Sequence, residues 1–355
     1  MQFQMCCVVT IGLSSLSLGG TLHVDDDGLD NPDAAYSTIQ DAVDDAVNGD
    51  MVHVHRGTYT SDGDAVVDLG NKNIMLHSAD GQEETIIDGG GVRRGVVAEG
   101  DCSIIGFTIT NCVAVDMSGH GYNGGGVYLG GGTTTISNCT ITGNSAVDPD
   151  NWLGAGGGIY FSGNSATISN CSIRDNDSKS EGGGISLNEG HNVQILNCVL
   201  TGNYADAGSG GGGLAFNNVT ATVADSTISN NQAYSGGGGI VIVSSDRVVT
   251  VQNCNITGNA AGVNDGPLSG GGGIMVKYFS SPQITGCVID QNTANGGGGG
   301  IYYTRESGGQ LVDCAVTRNA AYTYGGGILC DDHNLPDVDS CRIIGNTSGV
   351  YGGGV

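Results

Sequence analysis

Six residues in three segments longer than their equivalents in other repeats (113–123, 145–155 and 260–270) carry side chains suited to binding a polar ligand: His120 and Tyr122, then Asp148, Asp150 and Trp152, then Asp265. Trp152 is the one tryptophan in the sequence. An aromatic ring on a projecting loop can stack on a sugar ring while carboxylates and amides take the hydroxyls. Excursions from one face of a repeat protein are a common binding surface. The bland alternative is that Trp152 folds back over its neighbours and the segments are tolerated insertions.

Two other groups could hold a metal. The run Asp25-Asp26-Asp27-Gly28-Leu29-Asp30, followed by Asp33, offers oxygen ligands for calcium, with Asp25, Asp27 and Asp30 as the ligand set. It lacks the twelve-residue spacing and closing Glu of an EF-hand, so a solvated acidic turn is the competing reading. Further on, if Val54, Leu76 and Ile87 point inward, His55, His77 and Asp88 point outward at stacked positions, where they could bind a transition metal. The eight arginines are scattered, and an Arg beside a carboxylate is more often a surface pair worth little.

The elements that position these residues follow from a repeat of about 27 residues. A Gly-Gly-Gly-apolar motif occurs at 124–127, 156–159, 182–185, 211–214, 237–240, 271–274, 298–301, 325–328 and 352–355. Between these runs lies a second motif, apolar-x-x-Cys-x-apolar-x-x-Asn, as in Ile136, Cys139, Ile141 and Asn144. A unit of this length cannot bury its own apolar face, so it stacks on its neighbours. Apolar residues alternate after each glycine run (Val127 and Leu129, Ile159 and Phe161, Ile185 and Leu187), which signals short strands with one face inward. The second motif supplies two more. Three short strands per repeat with no helical stretch between them give one turn of a parallel β-helix, eleven or twelve turns in all and roughly 50–60 Å long.

The repeat also explains the cysteines. Cys139, Cys171, Cys198, Cys254, Cys287, Cys314 and Cys341 occupy one slot, with Ser226 filling its gap. Equivalent slots in stacked strands lie about 4.8 Å apart, further than the ~3.8 Å between the Cβ atoms of a disulfide. A buried column of free thiols is expected, because Cys packs as a small hydrophobe. Five residues after the slot stands an Asn in every repeat: Asn144, Asn176, Asn203, Asn231, Asn259, Asn292, Asn319 and Asn346. Asn tolerates left-handed backbone, and a stacked amide can donate and accept along the column, a structural role. The glycine runs permit close backbone approach at a corner. They are not phosphate loops, since no helix follows them.

Ahead of the repeats, residues 37–48 place Ile39, Val43 and Val47 on one face of a short helix, with Ser37 or Thr38 as N-cap and Gly49 as the stop. Such a helix would cover the open apolar end of the stack. The first turns are irregular, with strands at Val52-x-Val54, Ile74-x-Leu76 and Ile86-Ile87. Residues 1–20 form the first of three regions and have the size and apolar character of a signal peptide, though without the usual opening Lys or Arg. Residues 21–110 make the cap and first turns, and 111–355 the regular repeats. The sequence stops inside a turn, which suggests a fragment or an end-to-end contact at the C-terminus.

The run from Ser37 to Ala42, with the segment from Gly49 to Tyr59, resembles the opening of pectin-lyase-like right-handed β-helix proteins. The two repeat motifs resemble those of chlamydial polymorphic outer-membrane proteins. The resemblance implies an all-β, right-handed, single-stranded parallel β-helix with a short N-terminal capping helix. For function it implies less, because such proteins include lyases, hydrolases and adhesins. Polymorphic outer-membrane proteins carry a C-terminal membrane barrel that is missing from this sequence. Polygalacturonase-like enzymes need an Asn-Thr-Asp, an Asp-Asp, a Gly-His-Gly and an Arg-Ile-Lys in that order. Here Gly119-His120-Gly121 precedes Asp331-Asp332 and the other two motifs are missing, so that mechanism is rejected.

Charge bounds the partners. Thirty-six acidic residues against 11 Lys plus Arg give a net charge of −25. Such a surface repels nucleic acid and anionic membranes, and polyuronates too unless a cation bridges. No segment is apolar over a bilayer's thickness, so membrane insertion is not expected. The expectation is therefore a secreted or cell-surface β-helix protein, without a catalytic set, that binds a glycan or a surface protein along its long-loop edge. Calcium is the candidate ion. A polysaccharide lyase or hydrolase, or a spacer domain of a larger surface protein, are the alternatives.

Overall fold

The computed structural model describes residues 19–116, 119–148, 154–206, 210–244, 246–262, 270–331 and 336–355. They form a parallel β-solenoid of about eleven turns with a single short helix among the described residues. Four sheets line the coil, three from its first turns and one from Ser145 onward. The first begins with Thr21–Val24, Met51–Val54 and Met75–Ser78, and the second with Gly57–Tyr59 and Thr85–Asp88. The third consists of two-residue strands such as Ser145–Ala146 and Asp177–Ser178. The fourth includes Val127–Leu129 and Ile159–Phe161, the strands that follow the glycine runs. Every pairing is parallel and joins a strand to its equivalent one turn away, as Ile141 to Ile173 and Ile173 to Leu200.

The alternation rule therefore held for three strands per turn, and a fourth appears that it did not predict. Each strand of the third sheet offers only one inward residue, and that residue is small: Ala146, Ser178, Ala205, Ala233, Ala261. Two residues are too short for a period to register. The core is one continuous apolar column of Ile, Val, Leu and Phe from every turn.

The capping helix is Ile39–Asp45, with Thr38 as N-cap, its Oγ1 accepting from the Asp41 amide. Ile39, Ala42, Val43 and Ala46 are buried, but Val47 is 63% exposed. The helix ends two residues sooner than the spacing implied, because Ala46 turns to extended backbone. That rotates Val47 away from the end of the coil.

The asparagine column is continuous. From each ladder Asn, the backbone amide and Nδ2 both donate to Oδ1 of the next, for example Asn203 to Asn231 at 3.0 and 2.9 Å. Asn231 Nδ2 donates in turn to Asn259 Oδ1 and to the Leu200 carbonyl, each at 3.0 Å. At its N-terminal end the column is met by the amide of Cys112, which donates to Asn144 Oδ1 at 3.0 Å. These asparagines do not adopt left-handed backbone, contrary to one of the reasons expected for them. The positive φ falls on the residue before each: Gly143, Asp175, Gly202, Asn230, Gly258, Gln291, Arg318 and Gly345. A second left-handed corner precedes each cysteine slot, as at Asn138, Asn170 and Asn197.

The ten described cysteines are all free, and eight are buried. Ser226 shows what the slot needs: its Oγ accepts from the Cys198 amide at 3.0 Å and donates to the Ala224 carbonyl at 2.8 Å. Cys314 does the same with sulfur, accepting from the Cys287 amide at 3.4 Å and donating to the Val312 carbonyl at 3.2 Å. Glycine is required at the corner between the third and fourth sheets. A Cβ on Gly158 would lie 2.6 Å from the Gly184 carbonyl oxygen and 3.0 Å from Asn176 Nδ2.

Candidate functional site

The long segments leave the coil between the third and fourth sheets, so the outward residues of those sheets flank them. Of the six residues expected to bind ligand, Asp150, Trp152 and Asp265 lie outside the described residues. The other three do not form one open surface. Asp148 is 3% exposed, and Tyr122 is half-buried. His120 is folded back against the outer wall of the coil: its Nε2 lies 3.0 Å from Glu99 Oε1, and its ring packs 4.3 Å from that of Tyr128.

Two clusters that sequence reasoning missed border this edge. In the first, Tyr128 and Tyr160 stand outward at paired positions on adjacent turns, stacked at 5.5 Å. Asn188 Nδ2 donates to the Tyr160 hydroxyl at 3.2 Å. Burial, in the first place, raises the Tyr128 phenol above its ordinary value. Beneath them lies Arg94, fully buried, which donates from Nε to the Asn123 carbonyl at 2.9 Å and from Nη2 to that of Gly121. Its guanidinium sits 5.7 Å from the Tyr128 ring centroid. Arg94 thus pins the inner end of the segment that carries His120 and Tyr122. The alternation after each glycine run already placed Tyr128 and Tyr160 outward, and that signal was available.

The second cluster is Asp177, Lys179, Tyr204 and Asp206, outward on the third sheet of two adjacent turns. Lys179 pairs with Asp206 Oδ2, and the Tyr204 hydroxyl donates to Asp206 Oδ1 at 2.9 Å. The two carboxyls differ. Burial, reinforced by the Asp206 charge, pushes Asp177 up to about 6. The hydrogen bond from Lys179 holds Asp206 below the usual carboxylate range. Two carboxyls whose environments drive them apart form an arrangement suited to acid–base work or to polar recognition. Nothing in local sequence marks this set, because the coil brings its members together from separate turns. Lys277, lowered to about 8 by burial, lies near Glu181 but is only 4% exposed and faces no solvent.

At the other end of the coil, Asp25, Asp27 and Asp30 converge within 4.8 Å of one another. Some of their oxygens also hold the turn together. Asp25 accepts from the amides of Asp27, Gly28 and Asn31, which outweigh its burial and hold it below the ordinary value. Asp27 accepts from the Leu29 amide, and Asp30 pairs with Arg56 at 3.2 Å. The group organises its own turn.

The histidine column forms with a different membership from the one expected. Val52, not Val54, pairs with Leu76, so His53 stands opposite His77, and His23 opposite His53. His55 lies beside them on the same face. Asp88 belongs to the second sheet and is not part of the group. The register was misassigned because Ile74, although buried, precedes its strand, Met75–Ser78.

A repetitive coil in which every strand pairs in parallel with its equivalent one turn away defines a parallel β-solenoid. The chain belongs to the right handed beta helix region family, which its sequence matches over residues 94–267 and 263–354. No curated protein matches the sequence. Among solved structures it is similar to pectate lyase Pel9A, with a TM-score of 0.51 and 15% identity, covering 95% of this chain and 80% of that one. It is also similar to the A-module of mannuronan C-5 epimerase AlgE4 from Azotobacter vinelandii, with a TM-score of 0.44 and 15% identity over 88% of this chain and 95% of that one. At 15% identity the likeness to Pel9A is one of fold. No helix among the described residues is long and apolar enough to cross a membrane.

Proposed function

We propose that this is an exported or cell-surface β-helix protein that binds a glycan along the edge between its third and fourth sheets, without cleaving it. One observation carries the reading. Polar-aromatic clusters (Tyr128, Tyr160 and Asn188, then Asp177, Tyr204 and Asp206) stand on successive turns beside the long segments. A rung spacing of about 4.8 Å gives a ladder of hydroxyls, amides and carboxyls on which successive sugar units of an extended chain can register. The net charge of −25 favours neutral glycans over polyuronates.

A glycan array probed with the purified chain, with and without calcium, followed by product analysis of each hit, tests this. Binding without cleavage is expected, weakened at least tenfold by Tyr204→Phe, Asp206→Asn or Trp152→Ala. Failure to bind any glycan would overturn the reading in favour of protein binding or a spacer.

A second reading, a polysaccharide lyase or hydrolase, is favoured by the split between Asp177 and Asp206, and the solved relative Pel9A is named a pectate lyase. It requires cleaved product, and it requires Asp177→Asn to abolish cleavage while binding survives.

A further inference from the structure

Four of the chain's seven histidines meet on the outer face of the first three strands of the first sheet. His23, His53 and His77 are in register, one per turn, and His55 follows His53 by two residues, which returns it to the same face. The inward neighbours Val52, Val54 and Leu76 supply the core, so the outward histidines are not needed to bury apolar surface. All four rings are half-buried and open to solvent on one side.

Their nitrogens converge. His23 Nδ1 and His55 Nε2 are 3.3 Å apart, and His53 Nδ1 and His77 Nδ1 are 3.1 Å apart. One ring nitrogen from each of His23, His53 and His55 lies within 4.8 Å of the other two. Two imidazoles bound to one tetrahedral ion at ~2.0–2.1 Å hold their nitrogens about 3.3–3.4 Å apart, the separation that His23 and His55 already show.

We propose that His23, His53 and His55 form a binding site for a borderline transition-metal ion of the zinc, cobalt or copper type. An all-imidazole donor set suits these ions and not calcium or magnesium, which demand oxygen. His77, bonded to His53, orients that ring, as outer partners of metal-bound imidazoles do. Asn31, whose amide nitrogen lies 3.0 Å from His55 Nε2, borders the site, and a water completes the coordination. The acidic run that begins two residues after His23 raises the local concentration of cations.

The full chain, made without a histidine tag and stripped with chelator, is titrated with Co²⁺, with Zn²⁺ and Ca²⁺ as competitors. One equivalent of Co²⁺ per chain is expected, with the visible absorption of a nitrogen-ligated ion, displaced by Zn²⁺ and not by Ca²⁺. His53→Gln and His55→Gln should each weaken binding at least tenfold, and His77→Gln severalfold. His191→Gln, far along the coil beside Arg247, should leave binding unchanged. An unaltered β-sheet circular dichroism spectrum separates loss of the site from loss of the fold. Absence of stoichiometric Co²⁺ binding, or binding that survives His53→Gln, would overturn the proposal.

Discussion

Asp177 illustrates how a residue acquires its properties from a neighbour 29 positions away. Its carboxyl is raised by burial and by Asp206, and Oδ1 has no hydrogen-bond partner among the described residues. The sign of its effect on stability follows. A carboxyl with a folded-state value of about 6, against 3.8 ordinarily, binds its proton more tightly when folded. It therefore costs stability as pH rises from about 4 to about 6, and the cost persists above that window. Asp177→Asn should stabilise the chain by about 3 kcal/mol at pH 7.5, with the advantage vanishing near pH 4. Denaturant melts of the two proteins at both pH values check this. Equal stabilities at pH 7.5 would mean that the carboxyl is solvated. In the sequence Asp177 is only the residue after a ladder asparagine, whereas His120 and Tyr122 stood out because their segment is long.

At the scale of the element, the asparagine column and the glycine corner are one device. Gly158 leaves room for Asn176, whose Oδ1 accepts from the buried Asn144 amide and whose Nδ2 donates to the Ile141 carbonyl. Removing one rung of the column strands its neighbours. In Asn231→Leu, the Asn203 amide and Nδ2 lose their acceptor and the Leu200 carbonyl loses its donor, all buried. The expected loss is about 3 kcal/mol, read from urea unfolding, since each unsatisfied buried group costs about 1–3 kcal/mol. A loss below about 0.5 kcal/mol would show that water replaces the amide. This column was legible from the sequence because each Asn stands five residues after the cysteine slot. The left-handed corners were misplaced by one residue, because Asn, Asp, Gly, Gln and Arg all occupy them and no single residue type marks the position.

For the whole molecule, length and charge dominate. A solenoid contacts only neighbouring turns, so its stability is approximately a sum of local terms. A net charge of −25 spread along the coil opposes that sum through self-repulsion. Raising NaCl from ~0.01 M to ~0.5 M, where the screening length falls from about 30 Å to a few Å, should raise the Tm. Thermal unfolding at fixed pH checks this, and a Tm independent of salt would mean that the carboxylates are individually compensated.

The amino-acid sequence by itself determined the solenoid, the number of its turns, the capping helix, the free thiols and the amide column. Each of these is written in a local motif or period, which is a one-dimensional property. Only the tertiary structure decided which residues of the irregular turns and of neighbouring rungs meet: His23 with His53 and His77, Asp177 with Asp206. Those juxtapositions depend on register and on the exact number of residues each turn inserts. A shift of one residue sends a side chain to the opposite face of the sheet. The irregular first turns, where the repeat gives no register, are where the histidine column was misassigned and where the proposed metal site lies.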